Sequence, residues 1–141
     1  MLPIANSRII IDTNLWVSYF LGYQTKDRLK QVLFDENLSI LVSLALLEEI
    51  SIVLNRPKFR KYFSLDDAGE LQELIRFRSK LIDVHSVITL SRDQKDDFIL
   101  SLCQDGAADF LLTGDADLLV LHPFGKTQII SLTEFWEIYT S

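Results

Sequence analysis

A chain of 141 residues, 48% hydrophobic and 24% charged, is long enough for one domain with a real core. Its formal charge of −6 is unevenly placed: residues 1–80 carry 11 basic and 10 acidic side chains, residues 81–141 carry 3 and 10. That balance argues against a protein that coats nucleic acid with a broad basic surface. It suits an acidic end that recruits metal beside local basic clusters that meet an anionic substrate.

Cys103 is the sole cysteine, so no internal disulfide can form, which is compatible with a reducing compartment. MLPIANSRIII lacks the basic start, long apolar stretch and small-residue cleavage site of a secretory leader. The apolar runs fall far short of the ~20 residues of a membrane span. These features predict a soluble, cytoplasmic protein that does not enter the membrane. No internal repeat, linker or low-complexity segment interrupts the chain, and residues 1–141 read as a single domain.

Arg8–Asp12 reads as a short buried strand, three isoleucines ended by an aspartate. Thr13 to about Leu21 follows as a helix, with Trp16 and Phe20 four apart on one side and Gly22 ending it. Lys26 to about Phe34 is a second helix with Leu29, Val32 and Leu33 apolar. Ser39–Val42 is the next strand, and Ser43 looks like the N-cap of a helix running to about Asn55. Pro57 separates that helix from KFRKYF. Ser64 opens another, with Asp67 approximating a capping box and Leu71, Leu74 and Ile75 facing the core.

Leu81–Val84 is a candidate strand, and Asp93 is placed to cap a helix from about Gln94 to Gln104. Asp109–Leu112 is a further strand, followed by a turn at Thr113-Gly114. Lys126–Ile130 is the last strand, and Thr133 is placed to cap a C-terminal helix with Glu134 in its first turn. The order β-α-α-β-α-α-β-α-β-α-β-α predicts an α/β fold, a mostly parallel sheet with helices on both faces. RIII and FLLT are continuously apolar, as strands covered on both faces should be.

Four acids recur at informative places: Asp12 in RIIIDTN, Glu49 in SLALLEEISIVL, Asp96 in DQKDDFILSLC and Asp115 in DFLLTGDADLL. In open α/β sheets, ligands bind outside the carboxyl ends of the strands, where Asp12 and Asp115 fall, and Asp96 opens a helix. Each of these three has an equally good plain reading as a helix N-cap, which stabilises by roughly 1 kcal/mol. Glu49 has none, because it is mid-helix. At about 100° per residue it lies between Ala45 and Ile52 on one side and Val53 on the other. A charge so placed is costly without a cation or an Arg, unless it is a surface Glu at a ragged helix boundary. Glu48 points toward Ser51 and Asn55 and suits solvent.

Clustered carboxylates repel and raise one another's pKa values. A hard cation such as Mg²⁺ or Mn²⁺ removes that penalty and takes oxygen ligands. Zinc fits poorly, since His85, His122 and Cys103 stand alone and offer no zinc spacing.

In this order, IIIDTN, the LLEEI helix, DQKDDFIL and AADFLLTGDADLL resemble the PIN-domain nucleases, and within them the VapC-like toxin components of bacterial toxin–antitoxin pairs. The likeness runs from Ile9 to the final SLTEFWEIY. It places the family's first acid on Asp12 and the second on Glu49, with Glu48 as a register alternative. The third falls on Asp96, with Asp97 as the alternative, since Ile99 stands three residues later. The fourth falls on Asp115, with Asp117 close enough to assist the metal. The resemblance implies a three-layer α/β/α sandwich, Mg²⁺ or Mn²⁺ dependence and cleavage of RNA.

On that reading Asp12, Asp96 and Asp115 hold the metal, and Glu49 completes its shell or orients the nucleophile. Asn14 and Thr113 hydrogen-bond the ligating carboxylates. Arg56, Lys58, Arg60 and Lys61, with Phe59, Tyr62 and Phe63 interleaved, form a candidate grip on RNA phosphates and bases. A solvated basic face with its aromatics in the core is as good a reading of that segment. Trp16, Tyr19, Phe20 and Tyr23, and again Phe135, Trp136 and Tyr139, read first as core and second as a homodimer or antitoxin interface.

Other classes fit less well. A haloacid-dehalogenase-like phosphatase wants a second Asp where this chain has Asn14, and a receiver-like domain wants a late Lys in a set that is absent. A catalytically silent PIN-like module that binds RNA or a partner is the remaining non-enzyme reading.

Overall fold

The computed structural model describes residues 4–90 and 94–141, and the side chains of all of these except Gln94 and Lys95. The expected cap Asp93 lies outside the described residues.

Five strands form one sheet in the order β3-β2-β1-β4-β5, every pairing parallel. They are β1 (Arg8–Ile11), β2 (Ser39–Val42), β3 (Ser79–Leu81), β4 (Phe110–Leu112) and β5 (Gln128–Ile130). Between and after them run α1 (Thr13–Leu21), α2 (Tyr23–Phe34), α3 (Leu44–Leu54), α4 (Leu65–Arg78), α5 (Gln94–Asp105), α6 (Ala116–Leu119) and α7 (Leu132–Tyr139). The alternation is the one the hydrophobic pattern predicts. From β1 to β2 to β3 the chain steps one way along the sheet. From β3 it returns past β1 to β4 and β5. Right-handed crossovers therefore put α1–α4 on one face and α5 and α6 on the other, a three-layer α/β/α sandwich.

The three inner strands β2, β1 and β4 carry most of the buried apolar residues of the sheet. Ile9, Ile10 and Ile11 pack beside Phe110, Leu111 and Leu112, and all six are sealed from water. Trp16 and Tyr19 of α1 join this core, and Phe20 stacks on Phe63 with ring centroids 4.1 Å apart. Phe135 of α7 meets Phe110 edge-on at 5.3 Å. The aromatic residues of α1 and α7 thus serve mainly as core. Tyr23 is the exception, exposed at the start of α2.

Several boundaries differ from those expected, each for a local reason. Gly22, extended at φ −146°, breaks the chain for one residue only, so α2 starts at Tyr23 rather than Lys26. The third strand is Ser79–Leu81, two residues earlier than Leu81–Val84, because its partner β2 ends at Val42, level with Leu81. Beyond it the chain runs without regular structure to Leu90. It is pinned there by Asp105, whose carboxylate accepts the His85 N–H at 2.6 Å and the Ser86 N–H at 2.8 Å and bonds the Ser86 hydroxyl. Those donors hold the Asp105 carboxyl below its ordinary range.

Lys126 belongs not to β5 but to an ion pair with Asp109 at 3.1 Å. The last helix is capped by Ser131, not Thr133. Ser131 Oγ accepts the Glu134 N–H while Glu134 accepts the Ser131 N–H, a closed capping box. Among the described residues no helix is long and apolar enough to cross a membrane.

Candidate active site

β1 and β4 are neighbours in mid-sheet, and their carboxyl ends are level, Ile11 pairing with Leu112. The chain's direction along the sheet reverses between these two strands, and ligands of open α/β sheets bind at that point. Asp12 follows β1; Thr113, Gly114 and Asp115 follow β4. The fold therefore delivers two acids, distant in sequence, to one corner.

Asp12 is only 7% exposed. Its Oδ1 accepts the Thr13 N–H at 2.8 Å, and its Oδ2 accepts the Thr113 hydroxyl at 2.7 Å. Thr113, fully buried, uses the same oxygen to accept the Asp115 N–H at 3.0 Å. Asp115 Oδ1 then accepts the Asp117 N–H at 2.9 Å and so caps α6. From α3, Glu49 joins through the buried Thr13, whose hydroxyl donates to Glu49 Oε2 at 2.9 Å. Two threonine hydroxyls thus tie Asp12, Glu49 and Asp115 into one network drawn from β1, α3 and β4.

Burial is the largest influence on Asp12 and raises its pKa above the ordinary 3.8. The Thr113 hydroxyl and the Thr13 N–H oppose this, while the negative charges of Glu49 and Asp115 reinforce it. The net direction is up, as expected of a buried carboxylate that faces like charges. Among the described residues, no three His, Cys, Asp or Glu side chains lie close enough to hold one ion between them. The donor set is entirely oxygen, the kind hard divalent cations take, and the buried, charge-crowded Asp12 is where a cation would gain most.

Asp96 stands half-buried in the first turn of α5 beside Asp97. Ile99, three residues on, lines a groove between α5 and α3 that Glu48 and Glu49 also line. Asp117, half-buried, is in the first turn of α6.

Three expectations change. Glu49 is itself exposed: of its expected neighbours Ala45 and Ile52 are exposed and only Val53 is buried, and Thr13 supplies its partner. Asn14 is exposed, and its side chain supports no carboxylate among the described residues; Thr13, one position earlier, does that work. A β-branched hydroxyl residue at the first helical position after a strand-ending acid was the available signal. Arg60 turns inward, its guanidinium over the Phe63 ring at 5.1 Å and bonded to the Leu54 carbonyl at the end of α3. Arg56, Lys58 and Lys61 stay exposed, the two lysines lying over Phe59 and Tyr62 at 5.2 Å each.

An all-parallel α/β sheet whose direction reverses between β1 and β4, with Asp12 and Asp115 following those strands, defines a doubly wound protein. The sequence matches the PIN-domain family over residues 8–117, and the chain belongs to that family, whose members are generally nucleases that use divalent metal ions. Two solved structures share the fold at 14% identity each. PAE2754 from Pyrobaculum aerophilum aligns with a TM-score of 0.61, covering 99% of this chain and 94% of that one. VapBC2 from Rickettsia felis, bound to a DNA fragment from their promoter, aligns with a TM-score of 0.57, covering 86% of this chain and 98% of that one. No curated protein matches by sequence.

Proposed function

We propose that this chain is, as a single domain, a Mg²⁺- or Mn²⁺-dependent endoribonuclease of the cytoplasm and the toxin component of a toxin–antitoxin pair. The observation that carries the reading is the network at the ends of β1 and β4. There the buried Asp12 meets the Thr113–Asp115 turn by hydrogen bond and Glu49 through Thr13.

Asp12, Asp96 and Asp115 would hold the cation, with Asp117 assisting and Glu49 at its outer side. When bound, such a cation lowers the pKa of a water and polarises the phosphate. The chain's own part is to hold its oxygens still. Thr113 fixes Asp12 and the Asp115 backbone with one hydroxyl, and Thr13 fixes the rotamer of Glu49. Lys58 and Lys61, exposed over aromatic rings, suit phosphates of a strand entering the site. An antitoxin and a second copy of the chain are the expected protein partners. The family, and the kinship in fold with a VapC-containing complex, support the toxin assignment.

The decisive experiment is cleavage of end-labelled single-stranded RNA by the purified chain. Cleavage is expected with Mg²⁺ or Mn²⁺ and is expected to stop with EDTA. An intact substrate under both cations would refute the enzyme and leave a binding module.

Thr113→Val keeps the side-chain shape and removes one hydroxyl, leaving Asp12 Oδ2 and the Asp115 N–H without their partner. Loss of such a supporting bond costs roughly 10–100-fold in metal affinity or activity. Isothermal titration with Mn²⁺ should show that drop, and Thr113→Ser should recover most of it. Equal Mn²⁺ affinity in Thr113→Val and wild type would remove Thr113 from the site.

A further inference from the structure

The groove between α3 and α5 opens beside Glu49 and encloses about 390 Å³. Its walls are apolar: Ala45 and Ile52 on α3, Phe98 and Ile99 on α5. Phe98 is 65% exposed and Ile52 57% exposed, neither covered by any part of the described chain. Glu48, Ile52 and Arg56 succeed one another at four-residue intervals along the same wall. The groove thus presents a carboxylate, an aliphatic side chain and a guanidinium in line. Glu48 stands within α3 and Arg56 two residues beyond its end, so the two charges mark opposite ends of that wall.

We infer that this groove is the subsite for a nucleotide flanking the cut, with its base stacked on Phe98, its edge read by Glu48 and its phosphate held by Arg56. The inference rests on the nuclease reading for what it flanks, since the groove shares Glu49 with the acidic network. Single-stranded RNA is recognised by stacking unpaired bases on aromatic side chains and by hydrogen bonds to their edges.

The charges fix the orientation. Glu48 repels a phosphate and accepts N–H donors, so the base edge and not the backbone lies there. Arg56, the lining cation, takes the anionic oxygens. They also fix a preference. Guanine offers a carboxylate two adjacent N–H donors, whereas uracil offers one donor between two carbonyl oxygens that Glu48 would repel. The subsite therefore selects guanine over uracil.

The test is fluorescence anisotropy with the full chain in EDTA, so that binding is read without cleavage. The probes are single-stranded uridine heptamers with or without one central guanosine. Phe98→Ala should weaken binding of the guanosine heptamer roughly 5- to 100-fold, the range expected for loss of one stacked base. Its melting temperature should not change, because the ring is exposed. Glu48→Gln should reduce the guanosine-over-uridine ratio, and Arg56→Ala should weaken both oligomers and lower the salt slope by about 1.

Unchanged affinity in Phe98→Ala overturns the subsite even if the wild type cuts RNA with Mn²⁺. Weakened affinity upholds the base subsite even if the wild type cuts nothing, and absent cleavage then overturns only its place beside a cut, so the two readings fail separately. A Phe98→Ala chain that changes its mass by light scattering while binding RNA as before would assign the groove to a second copy and overturn the proposal.

Discussion

Asp12→Asn should leave a protein that folds and melts at least as high as wild type yet cuts no RNA. The activity argument is chemical. Asp12 is the most buried of the candidate acids and the centre of the threonine-linked network. An amide there is a weaker cation ligand. Losing several kcal/mol of metal-based stabilisation, at 1.36 kcal/mol per tenfold, removes on the order of 10³ in rate.

The stability argument runs the other way. Burial, with Glu49 and Asp115, raises the folded pKa of Asp12 above its ordinary value. A carboxyl so shifted contributes stability below its unfolded pKa and loses it as pH rises through the folded one, so at neutral pH the ionised group is a cost to folding. The asparagine variant escapes that cost. In EDTA at pH 7 it should melt no lower than wild type, and its lead should vanish once the pH falls below 3.8, the ordinary value. Added Mn²⁺ should raise the melting temperature of wild type and not of the variant. A variant that still cuts with Mn²⁺ sinks the site; one that melts well below wild type at pH 7 sinks the electrostatic account.

Trp16→Ala should have the opposite signature: a large loss of stability, with chemistry impaired only through unfolding. Trp16 is 1% exposed, its ring 6.0 Å from that of Tyr19, on the helix that begins at Thr13. Truncating a buried Trp costs roughly 3–5 kcal/mol, a large part of the ~5–15 kcal/mol that holds a typical domain folded. Urea denaturation should show that decrease in unfolding free energy. A change under 1 kcal/mol would mean that α1 is anchored by other contacts. Measured together, the two variants separate residues kept for stability from those kept against it.

Much of this was legible in the residues. RIIID and FLLTGD announce buried strands that end in acids, because continuous apolar character means cover on both faces. Ser43 before LALLEEI announces its helix, and the Ser43 hydroxyl accepts the Leu46 N–H at 3.0 Å. Tertiary facts were not legible. That β1 and β4 are adjacent follows from strand order, to which no local pattern testifies. The inward turn of Arg60 over Phe63 depends on where α3 ends relative to the following turn, so the run of cations does not form one surface. Glu49 looked buried because periodicity locates a helix face but not what covers it; α5 leaves that face open as a groove. Asn14 and Thr13 both offer a donor to a carboxylate, and only the packing of α1 against α3 decides that Thr13 meets Glu49.

The hydroxyl bond that joins Thr113 to Asp12 links residues 101 positions apart. A nascent chain therefore displays its first acid long before the strand that completes the corner leaves the ribosome. Until then a growing polypeptide cannot close this corner of the fold, and a product terminated before β4 would lack it for the same reason. Topology alone thus defers assembly of the candidate site until most of the chain has been made.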